Sequence, residues 1–125
     1  MYDTYQKVRN MIKKSSYNCG FELTWELVGG KWKGLILWKL QEKGVLRYGE
    51  LSREVKGITQ KMLTQQLKEM EENNLIIRTV YSQIPPKVEY SLSESGKELS
   101  DIFIAMKDWG VKYADKNDIE VLCKL

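Results

Sequence analysis

Apolar residues recur every three or four positions along most of this chain and every second position over one stretch near residue 80. That pattern predicts several helices and one pair of strands. Tyr2, Tyr5, Val8, Met11 and Ile12 trace one face of an amphipathic helix that ends before Ser15-Ser16. Residues 21–28 predict a short helix closed by Gly29-Gly30. From Lys31 to about Lys43 a stronger helix is expected. Its buried stripe is Trp32, Leu35, Ile36, Trp38 or Lys39, and Leu40, and Gly44 ends it. Val45-Leu46-Arg47 reads as a brief extended piece, and Glu50 to Val55 as a short helix with Leu51 and Val55 on one face. Lys56-Gly57-Ile58 is a tight turn in which Gly57 can take the left-handed conformation.

Thr59 is a suitable N-cap for a helix running to about Asn73, with Met62 or Leu63, Leu67 and Met70 pointing inward. Residues 75–81 are β-rich, the Ser82 to Pro86 stretch is a loop, and residues 87–92 alternate and return as a second strand. Ser93 or Ser95 then caps a long helix bearing Leu99, Ile102, Phe103, Met106, Trp109 and Tyr113. The fold class expected is mostly α with a small antiparallel β-hairpin. The order helix, short strand, short helix, turn, helix, hairpin is that of a winged helix-turn-helix with additional helices at both ends. A single domain spans 1–125, with terminal helices at 1–16 and 96–116 and the helix-turn-helix and wing at 46–92.

Composition narrows the function. The chain has no histidine, which removes Ser-His-Asp and Cys-His catalysis and histidine-ligated zinc. No acidic pair sits in a motif for acid–base work, so neither an enzyme nor a cofactor is expected. Cys19 and Cys123 match no metal spacing, so no metal site is expected either. Two cysteines make no disulfide framework, and the longest apolar run is Leu35 to Trp38, far short of the ~20 residues of a spanning helix. The opening residues show no apolar signal core. A cytoplasmic protein without a membrane role is the expectation.

The net charge of +3 is unevenly placed. Bases without acids occupy residues 27–41 (Lys31, Lys33, Lys39), 55–68 (Lys56, Lys61, Lys68) and 73–88 (Arg78, Lys87). The helix after Thr59 concentrates this asymmetry. Once its inward residues are removed, Gln60, Lys61, Thr64, Gln65 and Lys68 remain along one opposite stripe. All are donor-bearing and none is acidic. Gln can pair bidentately with adenine, Thr can meet a base or a thymine methyl, and Lys neutralises phosphate. The alternative is an ordinary solvated face, but such a face usually mixes in Glu. Arg78 and Lys87 flank a loop whose tip could lie on phosphate or in a minor groove. Arg47 and Tyr48 could reach the phosphate backbone, and Lys31 and Lys33 start a helix whose N–H groups favour an anion. A winged-helix module that docks another protein and never touches DNA is the competing reading.

The stretch from Cys19 to Trp109 resembles the HxlR-type winged helix-turn-helix transcriptional regulators, relatives of the MarR proteins. The matching pieces include Gly30-Lys31-Trp32, Arg47-Tyr48-Gly49-Glu50-Leu51, Gly57 through Leu63, Arg78 through Tyr81, Pro85 through Leu92, and Trp109-Gly110. The resemblance implies a homodimer joined through its terminal helices, with two recognition helices reading a palindromic operator in double-stranded DNA. The apolar stripe of the last helix fits a partner surface, or alternatively its own domain. Cys19 falls where family members commonly carry a cysteine that in some senses oxidants, although Gly20 replaces the usual proline. A buried inert thiol is the alternative for Cys19. Trp25, Trp32, Trp38 and Tyr113 are candidates to line a pocket for a small-molecule signal, or simply to fill a core.

Overall fold

A computed structural model describes residues 15–122. The predicted amphipathic stripe from Tyr2 to Ile12 and Cys123 lie outside the described residues. The elements run α1 (Gly20–Val28), α2 (Lys33–Lys43), β1 (Leu46–Arg47), α3 (Tyr48–Glu54), α4 (Gln60–Glu72), β2 (Ile76–Tyr81), β3 (Lys87–Leu92), α5 (Glu94–Lys97) and α6 (Ser100–Lys116). The architecture is the expected winged helix-turn-helix, mostly helical with a small antiparallel sheet.

One hydrophobic core organises these elements. It joins Ile36, Leu37 and Leu40 of α2 to Leu51 and Val55 around α3, Leu63, Leu67 and Met70 of α4, and Ile76, Tyr90 and Leu92 of the sheet. The buried side of α2 is thus set by positions 36, 37 and 40, one full turn of an apolar stripe. Leu35, expected in that stripe, is half exposed and faces a surface groove instead. Trp32 packs against the core.

The hairpin is enlarged by a third strand. The order is β1-β3-β2, with Leu46 opposite Tyr90 and Arg47 opposite Glu89. Two-residue β1 pairs because Leu46 must be buried while its neighbours stay wet, and the ladder satisfies its backbone there. Between α3 and α4 the turn needs Gly57, whose φ of 88° lies in the left-handed region. Helix α4 ends at Asn73, and Asn74, with φ of 60°, makes the left-handed exit that asparagine tolerates.

The C-terminal helix differs from expectation. Ser93 caps it as predicted, accepting the Gly96 N–H at 3.1 Å, but the helix it caps is the four-residue α5. The chain then breaks at Glu98-Leu99, and the long helix begins only at Ser100. Ser93 is itself buried. Its backbone N–H donates to the Leu75 carbonyl at 3.0 Å and its hydroxyl to the Asn74 carbonyl at 2.6 Å. These bonds hold α5 against the α4–β2 turn.

Candidate nucleic-acid interface

Helix α4 presents the predicted stripe to solvent. Leu63, Leu67 and Met70 are buried, Met62 is partly so, and Gln60, Lys61, Thr64, Gln65 and Lys68 are all exposed. Thr59 caps the helix by accepting the Met62 N–H at 3.1 Å, and no acidic residue occupies the first turn. The N-terminal end therefore keeps its positive dipole uncompensated.

Tyr48 has a different place from the one anticipated. Its ring packs on the core, and its hydroxyl lies 2.9 Å from both the Gln60 carbonyl and Thr64 Oγ1. With one proton to give, the phenol donates to the carbonyl and accepts from the threonine. The first turn of α4 is thereby pinned to α3. Thr64 keeps its methyl and its oxygen lone pairs for an outside partner. Arg47 is exposed at the N-cap of α3, its backbone N–H donating to Glu50 Oε1 at 2.8 Å.

The wing separates two cations that the sequence placed together. Arg78 pairs with Tyr90, whereas Lys87 pairs with Tyr81, and alternate strand positions face opposite ways. Arg78 therefore sits on the face of Ile76 and Tyr90 and is exposed there. Lys87 shares the other face with Thr79, Tyr81, Glu89 and Arg47. Its ammonium lies 3.2 Å from Glu89 Oε2 and 4.7 Å from the centre of the Tyr81 ring. Lys87 is thus an internally partnered cation. The Tyr81 hydroxyl bonds to Glu89, holding that carboxyl below its ordinary range and raising the phenol above its own. The loop tip carries Ile84, 99% exposed.

Two acids with roles at this surface escaped the sequence reading. Glu89 follows Lys87 by two residues, the spacing of one strand face, so alternation alone could have found it. Glu69, in the last turn of α4, pairs with Lys33 of α2 at 3.2 Å and accepts from Gln65 Nε2 at 3.4 Å. Lys33 is consequently engaged and does not project as a free anion contact. Lys31 stacks over Trp32 at 4.7 Å.

A second surface lies away from α4. Phe21, Trp25 and Val28 of α1, Leu35 and Trp38 of α2, and Ile102, Phe103 and Met106 of α6 line an apolar groove of about 730 Å³. Phe21 is 77% exposed and stacks on Trp25 with ring centres 6.3 Å apart. Trp109, 66% exposed, stacks on Tyr113 at 5.1 Å, outside the groove lining. Of the four aromatics anticipated for a pocket, only Trp25 and Trp38 line it. Cys19 is an exposed free thiol at the N-cap of α1, not the buried one considered as its alternative.

Among the described residues no cluster of His, Cys, Asp and Glu could hold a metal ion, and no helix is long and apolar enough to cross a membrane. A capped, exposed, acid-poor helix braced by a second helix and flanked by a β-wing defines the winged helix-turn-helix class. Comparison with known proteins places it further. The model of the HxlR-like helix-turn-helix family matches residues 27–118, and the chain belongs to that family of transcriptional regulators. It is 54% identical over 101 residues to MalR of Fusobacterium mortiferum, covering 81% of this chain and 95% of that one. The redox regulator HypR in its oxidised form is 46% identical with a TM-score of 0.71, covering 75% of this chain and 96% of its own. The reduced form of HypR is 43% identical with a TM-score of 0.75, covering 80% and 98%.

Proposed function

We propose that the chain is a dimeric, sequence-specific DNA-binding regulator, with α4 in the major groove and the wing against the phosphate backbone or the minor groove. The observation that carries this reading is the stripe Gln60, Lys61, Thr64, Gln65 and Lys68, each exposed and none acidic, on a helix whose opposite side is core. A solvated helix needs no such one-signed face. Gln65 and Thr64 are the base-reading residues, with Thr59, Gln60, Lys61 and Lys68 beside them on the groove-facing side. Arg47 and Arg78 belong to the backbone-positioning set, and Tyr48 supports them by pinning the first turn of α4. Lys87 joins them only by sharing its charge with Glu89.

The dimer rests on α1 and α6. Phe21, Trp25, Ile102, Met106, Trp109 and Tyr113 together are too much exposed aromatic and aliphatic surface for a lone soluble subunit. With a second copy covering them, two α4 helices read half-sites about one turn of duplex apart, as in other dimeric helix-turn-helix proteins. The oxidant signal is assigned to Cys19, whose thiol is exposed at the N-cap of α1. The relation to HypR, itself a redox regulator, supports that assignment.

The test of DNA binding is a salt titration on random duplex DNA. Affinity is expected to fall with salt, by a slope of about 0.9 in log units per phosphate neutralised. A flat response or no affinity would leave the protein-docking module. For the signal, a thiol oxidant should change operator affinity in the parent and leave Cys19→Ser unmoved. Equal responses would remove Cys19 as the sensor.

A further inference from the structure

We propose that Glu69, anchored by Lys33, fixes the side-chain amide of Gln65 so that α4 reads adenine at the base pair Gln65 faces. This rests on the reading of α4 as the groove-facing helix, and it names a specificity-positioning residue that touches no base itself. The geometry starts at the interface of α2 and α4. Lys33 Nζ lies 3.2 Å from Glu69 Oε2, and the two side chains are only 17% and 20% exposed. The carboxylate is therefore held in place from one side. Its other oxygen, Oε1, accepts from Gln65 Nε2 at 3.4 Å.

The direction of that second bond follows from the chemistry of the groups. An ionised carboxylate has no proton to give, so it can only face the nitrogen end of the amide. The opposite orientation would set the Gln65 carbonyl against Glu69, acceptor against acceptor. With the nitrogen drawn toward Glu69, Oε1 and the second N–H of Gln65 remain for an outside partner. In the major groove adenine offers an N6 donor beside an N7 acceptor, which matches that pair. Guanine offers two acceptors, O6 and N7, and one of them meets the glutamine oxygen. A glutamine with no such restraint has both N–H groups of its amide nitrogen free to turn toward O6 and N7, and so accommodates both purines. The Lys33–Glu69 pair makes the choice.

A merely structural pair tying α2 to α4 would change stability without changing which base is preferred, so the readout is a base profile. Duplexes are selected from a random pool at one fixed salt concentration with the parent, Gln65→Ala and Glu69→Gln. The parent is expected to prefer adenine over guanine about ten-fold or more at one position of each half-site. Gln65→Ala should flatten that position. Glu69→Gln, whose amide can donate or accept, should bring guanine to within about three-fold of adenine there and leave the rest of the consensus intact. Lys33→Gln/Glu69→Gln, which leaves no unpaired charge at the interface, should give the same profile and serves where the single variant melts early. Guanine at the Gln65 position in the parent, or unchanged profiles in both Glu69 variants while Gln65→Ala flattens its position, would overturn the role of Glu69 alone. A Gln65→Ala profile identical to the parent would overturn the placement of α4 and this inference with it.

Discussion

Gly96→Ala is expected to destabilise the fold by about 3 kcal/mol, the upper part of the range for overfilled packing, lowering the melting temperature by roughly 10 °C. Gly96 is buried, and a methyl group built on it would collide with the Leu75 carbonyl and press on Leu92 Cδ2 at 3.2 Å. That carbonyl cannot simply move aside. It accepts the Ser93 N–H at 3.0 Å, and the neighbouring Asn74 carbonyl accepts the Ser93 hydroxyl at 2.6 Å. Shifting α5 outward breaks this cluster and strips the cap from Gly96. The effect reaches the candidate interface, because Leu75 follows directly on the α4 exit. A thermal melt followed by circular dichroism checks it, and a melt within about 2 °C of the parent would show that α5 is free to give way.

The second large effect is electrostatic. Replacing Lys61, Lys68 and Arg78 together by alanine should leave the fold intact, since all three are exposed. It should reduce the magnitude of the salt slope on random DNA by about 0.9 for each cation lost. Affinity for every sequence should fall together, because phosphate contacts position the protein without reading bases. Lys87→Ala is expected to do less than any one of these three. Its ammonium is already partnered by Glu89, so its removal strips little free charge from the wing. Equal slopes for parent and triple variant would remove α4 and the wing as the phosphate-contacting surface.

What was legible in the sequence follows from the range of the interactions involved. The Thr59 cap, the inward Leu63, Leu67 and Met70 and the exposed stripe opposite them are local, set by helical periodicity and one side-chain oxygen, and each lies where that periodicity puts it. The turn at Gly57 is equally local. Features that depend on distant partners were missed. Lys33 and Glu69 meet only because α2 and α4 pack together, so nothing in the sequence around Lys33 marks it as engaged. The packing of Ser93 and Gly96 against the Leu75 carbonyl, some twenty residues upstream, is revealed by no pattern around Ser93. Leu35 satisfied helical spacing yet belongs to the groove, since spacing names a face and cannot say what covers it. The split of Arg78 from Lys87 was available in the two-residue alternation of β2 and β3 once their register was known.

The base-facing role of α4, doubled by a symmetry-related copy, is tested most directly by selecting bound duplexes from random DNA with the unmodified chain. A consensus of two inverted half-sites centred about 10 base pairs apart is the expected outcome. Recovery of no consensus, or of a single unrepeated half-site, would contradict it.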